Sequence, residues 1–105
     1  MSPEQSLSSV DSTWHRFRRT TKAFLVEVEG AISAVTMGRA AGTTELQVQA
    51  ALLARDFGGF GLSEAAMVAE QLHRTLQGLS PRSAGACARA VGQLRLELDR
   101  YQPQA

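Results

Sequence analysis

Apolar residues recur every three or four positions through most of the chain, which is the spacing of amphipathic α-helices. A first helix is predicted to begin at Asp11 or Ser12, because either side chain can accept a hydrogen bond from a free first-turn N–H group. Its core stripe consists of Trp14, Phe17, Thr21, Phe24, Val28, Ile32 and Val35. Residues 1–10 are rich in serine and are predicted to form a flexible tail. Gly38 and Gly42 are expected to end the helix and form a loop.

Three further stripes predict three further helices. The second begins near Thr43 or Thr44, ends at the segment "GGFG", and has the core positions Leu46, Ala50, Leu53 and Phe57. The third begins at Ser63, with the stripe Leu62, Ala65 or Ala66, Ala69, Leu72 and Leu76. The fourth follows a cap at Ser80 and a first helical residue at Pro81, with the stripe Ala84, Cys87, Val91, Leu94, Leu98 and Tyr101. The pattern predicts an all-α fold, an antiparallel four-helix bundle that forms one domain over residues 11–102.

Composition and charge exclude several function classes. A net charge of +1 gives no strong attraction to nucleic acid or to a membrane surface. The segment "HRFRRTTK" is basic, but its aromatic residue follows the core spacing, so its cations are expected to form a solvated face. The amino-terminal segment lacks an apolar signal core, and no apolar run is long enough to span a bilayer. We therefore expect a cytoplasmic protein with no nucleic-acid or membrane partner.

The residues that could carry chemistry are few. His15 and His73 have no serine, cysteine or carboxylate at the spacing of a catalytic triad. Cys87 lies on the apolar stripe of the fourth helix and is expected to be a small buried side chain. No cysteine and histidine cluster has the spacing of a metal site. These residues predict a protein that is not an enzyme and that holds no metal or cofactor.

The segment "AAGTTELQVQAALLARDFGGFGLSEA" resembles the histidine-containing phosphotransfer (HPt) domains of two-component phosphorelays. That family carries Ala-His-x-Leu-Lys-Gly on one helix, followed by a glycine-containing helix end and another helix. The residues that fit this register without a gap are Ala50, Leu53, Gly58, Phe60, Gly61 and Leu62. Ala51, however, stands where the family has its phosphorylated histidine, Ala54 replaces the lysine and Arg55 replaces the glycine. Alanine has no nucleophilic nitrogen, so Ala51 cannot accept a phosphoryl group.

The resemblance implies a degenerate, non-catalytic HPt-like module of bacterial-type two-component signalling. Its expected binding face comprises Gln47, Ala51, Ala54, Arg55 and Gly58. The resemblance implies that this face binds the receiver domain of a response regulator or a sensor histidine kinase without transferring phosphate. Two alternatives stay open. One is an active phosphotransfer protein that uses His73, which antiparallel pairing places about one turn from the position opposite Ala51. The other is a generic helical adaptor or homodimeric bundle.

Overall fold

The computed structural model describes the backbone of residues 3–101 and the side chains of residues 12–101. Four helices make up the fold: α1 (Pro3–Thr36), α2 (Thr44–Gly59), α3 (Ser63–Gln77) and α4 (Ala84–Arg100). No strand occurs within residues 3–101. The prediction of an all-α four-helix bundle is therefore confirmed.

The helices pack in a closed cycle, in which α3 lies against α2 and α4 while α1 lies against α4 and α2. Side-chain contacts show that α1 and α4 run antiparallel. Arg18 contacts Asp99 near the end of α4, whereas Glu29, further along α1, contacts Arg95, which comes earlier in α4. The result is an elongated molecule of 55 × 20 × 20 Å. Within the described part of the chain, no helix has both the length and the apolar character that a membrane crossing requires.

The core follows the predicted stripes closely. Six large side chains predicted for the core of α2, α3 and α4 are all buried, namely Leu46, Leu53, Phe57, Leu72, Leu94 and Leu98. The stripe prediction missed Leu25, which is fully buried. Because α1 contacts both α2 and α4, its buried surface is wider than one stripe, and Leu25 lies on the additional part.

Aromatic rings close one end of the bundle. Trp14 on α1 is only 2% exposed, and its ring centroid lies 5.1 Å from that of Phe60 and 4.5 Å from that of Tyr101. Phe17 packs edge-on against Phe57 at 5.2 Å. Such tilted and edge-to-face pairs are favourable arrangements for aromatic rings. The cluster joins α1 and the end of α4 to the turn between α2 and α3.

The segment "GGFG" is a standard helix stop. Gly61 has φ +77°, a left-handed conformation that a residue with a Cβ rarely adopts. The Gly61 N–H donates to the Gly58 carbonyl at 3.0 Å, and the Leu62 N–H donates to the Phe57 carbonyl at 2.9 Å. These two bonds define a Schellman motif, which satisfies carbonyl groups that the end of α2 leaves without helical partners.

Two predicted helix boundaries need correction. The first helix begins at Pro3 and not at Asp11 or Ser12, so the backbone of residues 3–10 is helical where a tail was expected. Proline suits the first helical position and no glycine interrupts this segment, which explains the extension. Residues 1 and 2 lie outside the described residues, as does residue 102 at the predicted end of the domain.

The fourth helix begins at Ala84, later than the predicted start at Pro81. Ser80 does not cap this helix. Its backbone N–H instead donates to the Ser83 hydroxyl oxygen at 3.0 Å, and its carbonyl accepts from the Ser83 N–H at 3.1 Å. This local turn uses the polar groups of Ser80 before the helix can begin.

Candidate functional site

The side of α2 that faces α3 is closely packed. Ala50 on α2 and Ala65 and Ala69 on α3 have no exposed surface. Small side chains allow two helix backbones to approach each other closely. We call this contact between α2 and α3 the seam. A hydrogen bond also crosses it, in which the Thr43 hydroxyl donates to the Leu76 carbonyl at 2.9 Å.

A shallow depression of about 250 Å³ lies on the surface of this seam. Ala51 and Ala54 line it from α2, and Glu70, His73 and Arg74 line it from α3. Ala51 is exposed and Ala54 is half-buried. The depression therefore has a small-residue wall on one helix and a wall of polar and charged side chains on the other.

His73 is fixed in this depression by a bond across the seam. Its Nδ1 atom lies 2.8 Å from the Gln47 backbone carbonyl oxygen, which can only accept a hydrogen bond. Nδ1 must therefore carry a proton. In the neutral ring, Nε2 is then the acceptor, and it accepts from the Gln77 side-chain amide at 3.2 Å.

The five residues of the predicted binding face differ in their exposure and in their contacts. Ala51, Arg55 and Gly58 are exposed, and the Arg55 side chain extends into solvent with 79% of its surface accessible. Gln47 is half-buried, and its side-chain amide donates to the Leu76 carbonyl of α3 at 3.4 Å and to the Thr43 hydroxyl oxygen at 2.9 Å. Of these five residues, only Ala51 and Ala54 line the depression.

Glu70 and Arg74 belong to the depression but were not identified from the sequence. A signal for them exists. The short turn after α2 makes α3 antiparallel to it, which places Ala51 opposite the segment around residues 69–73. Residues three and four apart share one helix face, so His73, once identified, points to Glu70, and Arg74 follows Glu70 by one turn.

The basic segment "HRFRRTTK" is divided between two roles. Arg18 and Lys22 both contact Asp99 Oδ1 at 2.7 Å, and Arg18 Nε donates to the Leu98 carbonyl at 3.2 Å. Within the expected solvated face, these two residues thus have a second role, because their half-exposed side chains fasten α1 to the end of α4. Their hydrogen bonds, that of Lys22 foremost, lower the pKa of Asp99. Arg16 and Arg19 remain exposed.

The other candidate residues lie away from the depression. Cys87 is fully buried in α4, and burial raises the pKa of its thiol, as expected for a small core side chain. His15 is exposed on α1. Among residues with described side chains, no group of three or more histidine, cysteine, aspartate or glutamate residues is arranged to hold a metal ion.

Comparisons of the chain with family models, with curated proteins and with solved structures found no match.

Proposed function

We propose that the chain is a non-catalytic HPt-like interaction module of two-component signalling. It binds the receiver domain of a response regulator or a sensor histidine kinase and transfers no phosphate. The observation that supports this proposal best is the exposure of Ala51, at the position matching the phosphorylated histidine in the resembling family, beside the depression between α2 and α3.

The chemistry of the depression fits binding better than transfer at Ala51. The methyl group of Ala51 has no lone pair for a phosphorus atom, so no phosphoryl group can be held there. Small side chains at Ala51 and Ala54 leave room for a partner helix to approach α2 closely. Glu70 and Arg74 stand on the facing helix and can orient a partner through charged hydrogen bonds.

The binding proposal is tested with Ala51→Glu and Ala54→Arg. Each variant places a bulky charge where close approach is needed, and a charge that is desolvated without a partner is costly. Affinity for receiver domains and kinases of the source organism should be lost, while the thermal unfolding midpoint is retained. Ala88→Glu is the matched control, since Ala88 is an exposed alanine on α4. A genuine partner that binds Ala51→Glu and Ala54→Arg as tightly as the parent and the control would overturn the proposal.

A gain-of-function variant tests the resemblance itself. The double change Ala51→His and Ala54→Lys restores two residues that the HPt family carries in this register. Ala51 is exposed, so an imidazole there can reach a partner without entering the core. We expect the double variant to acquire acid-labile phosphate from a phosphorylated receiver while the parent does not. Ala88→His serves as the control for an added surface histidine.

The geometry of His73 favours a second candidate function, phosphotransfer at a different residue. The Nδ1 bond to Gln47 fixes the ring and leaves Nε2 as the nucleophilic nitrogen, with Arg74 lining the same depression. Nε2 would attack an aspartyl phosphate, forming an N–P bond as the carboxylate leaves, after Gln77 had moved from Nε2. Acid-labile phosphate on the parent chain that disappears in His73→Ala would establish this function in place of the binding module.

A further inference from the structure

The opposite side of α2 is open where it faces α1. A cavity of about 590 Å³ lies between the two helices. Its walls carry mainly small side chains, including Ala31 and Ala34 on α1 and Ala41 in the following loop, together with the carboxylates of Glu27 and Glu45. The packing of α1 against α2 is therefore incomplete over this stretch.

A second depression of about 200 Å³ continues the opening toward the end of α2. Gln49 lines both spaces, so they form one groove, which we call the α1–α2 groove. Phe24 and Leu53 contribute apolar surface to it, and Leu52 at its edge is 47% exposed. The groove thus combines apolar surface with open access from solvent.

The described charged side chains that line the α1–α2 groove are all negative. Its lining residues include the carboxylates of Glu27, Glu45 and Asp56 and no lysine or arginine within the described side chains. Glu27 and Glu45 make no ion pair with any residue in the described part of the chain. A ligand for this groove should therefore combine apolar side chains with nearby cations.

The outer face of α1 has this chemistry. Arg16 and Arg19 are exposed and, within the described residues, have no ion-pair or hydrogen-bond partner. Ala23 and Gly30, also exposed, follow on the same outer face of the helix. Arg19 and Glu27 are eight residues apart, or roughly 12 Å along the helix axis. One surface of α1 therefore carries cations at one end and borders the acidic groove at the other.

We propose that two copies of this chain associate through the α1–α2 groove. The two α1 helices cross antiparallel near Ala23, which places Arg16 and Arg19 of each copy beside Glu27 and Glu45 of the other. A two-fold arrangement forms each of these contacts twice. Leu52 and the apolar lining of the groove are covered at the same time. The depression on the α3 side of α2 stays accessible, so this proposal is independent of the binding proposal for that face.

Sedimentation velocity across about 1 µM to about 1 mM protein measures the association directly. The parent should shift from an 11.3 kDa monomer to a species of about twice that mass. The association should weaken when salt is raised from about 50 mM to about 500 mM, because exposed charges are then screened. A parent that stays monomeric throughout would overturn the proposal.

Charge reversal identifies the contact. Arg19→Glu and Glu27→Arg should each weaken the dimer roughly 100-fold, because each places two pairs of like charges together. The double variant should restore association to within roughly tenfold of the parent, since the pairs then exist with their signs exchanged. Arg89→Glu makes the same charge change on the outer face of α4 and should leave the dimer unchanged.

Circular dichroism confirms that each variant is folded. A double variant that associates no better than the single variants would overturn the proposed pairing.

Discussion

The two sides of α2 are packed in opposite ways. Toward α3, buried alanines bring the helices together, and the Thr43 hydroxyl and the Gln47 carbonyl both bond to residues of α3. Toward α1, the helices separate around a groove, and no side-chain hydrogen bond joins α2 to residues 16–36 of α1. Helix α2 is therefore closely packed against α3 and separated from α1 by the α1–α2 groove.

Side-chain chemistry explains the difference. Alanine can be buried against a neighbouring helix without loss of hydrogen bonds, whereas a carboxylate such as Glu27 or Glu45 must keep its water or gain a cation. The groove therefore stays open to solvent. On its other side, α1 is held to α4 by the contacts of Arg18 and Lys22 with Asp99, by the pair of Glu29 and Arg95, and by the ring contact of Trp14 with Tyr101. The position of α1 thus depends more on α4 than on α2.

The largest expected effects on the unfolding free energy come from truncating one core leucine on α3 and one core leucine beside the α1–α2 groove. Leu72 is fully buried on α3, whereas Leu53 lies beside the α1–α2 groove. Leu→Ala changes in cores cost about 2–5 kcal/mol, and the loss is smaller where the surroundings can collapse or admit water. We expect Leu72→Ala near the upper end of this range and Leu53→Ala near the lower end.

Denaturant unfolding at low protein concentration measures both losses. Leu52→Ala is the control for the leucine at the groove edge and should change the unfolding free energy by no more than about 0.5 kcal/mol. Equal losses for Leu53→Ala and Leu72→Ala would mean that the two sides of α2 are equally rigid.

Alanine substitutions of two glycines near the end of α2 should change the stability of the protein in opposite directions. Gly61 has φ +77°, and no atom beyond its chain neighbours lies within 4 Å of an added Cβ, so the effect of Gly61→Ala is conformational strain. It should destabilise the protein by about 1–2 kcal/mol. Gly59 has helical backbone and equal space, so Gly59→Ala should stabilise it by about 0.5 kcal/mol. Thermal unfolding of both variants checks the signs, and destabilisation by both would contradict the assigned helix stop.

The sequence predicts the four helices and most of the core because burial repeats with the period of the helix. Leu46, Ala50, Leu53 and Phe57 are all buried at the expected spacing. The start of α1 was not predicted, because Asp11 and Ser12 can cap a helix but also tolerate its interior. Ser80 likewise has cap chemistry, and only the bonds to Ser83 show that it belongs to a turn.

The spacing of residues on α2 predicts only part of the candidate site. Spacing on α2 correctly predicts that Ala51 and Arg55 are accessible. It cannot predict that Gln47 bonds to the Leu76 carbonyl of α3 or that Glu70 and Arg74 complete the depression, since both depend on the register between two helices. The division of the basic segment into bonded and exposed cations also depends on α4, which lies far away in the sequence.

A smaller effect is expected from the hydroxyl that joins the seam. Thr43→Val keeps the side-chain shape but removes the donor to Leu76 and the acceptor for Gln47. A hydrogen bond of this type contributes about 1 kcal/mol, so the loss should be of this order. Thr44→Val deletes the same hydroxyl at an exposed neighbouring position and should have less effect. Denaturant unfolding of the pair measures the difference, and equal values would mean that the seam bond contributes nothing.

The smallest effect concerns how α1 is held to α4, and it depends on pH. The hydrogen bonds from Lys22 and Arg18 lower the pKa of Asp99 below its ordinary value of 3.8. The ionised carboxylate therefore stabilises the fold above that ordinary value, and the contribution is lost as the pH falls through the lowered pKa. Asp99 is exposed, so the stabilisation is small and weakens with salt. Asp99→Asn should unfold at a slightly lower temperature than the parent near pH 6, and the two midpoints should converge as the pH approaches about 2. Asp56→Asn, on a carboxylate whose nearest cation is 4.0 Å away, is the control and should give a smaller difference near pH 6. If the gap between the parent and Asp99→Asn stays constant down to about pH 2, the ion pairs with Asp99 do not hold α1, and its other contacts must hold it instead.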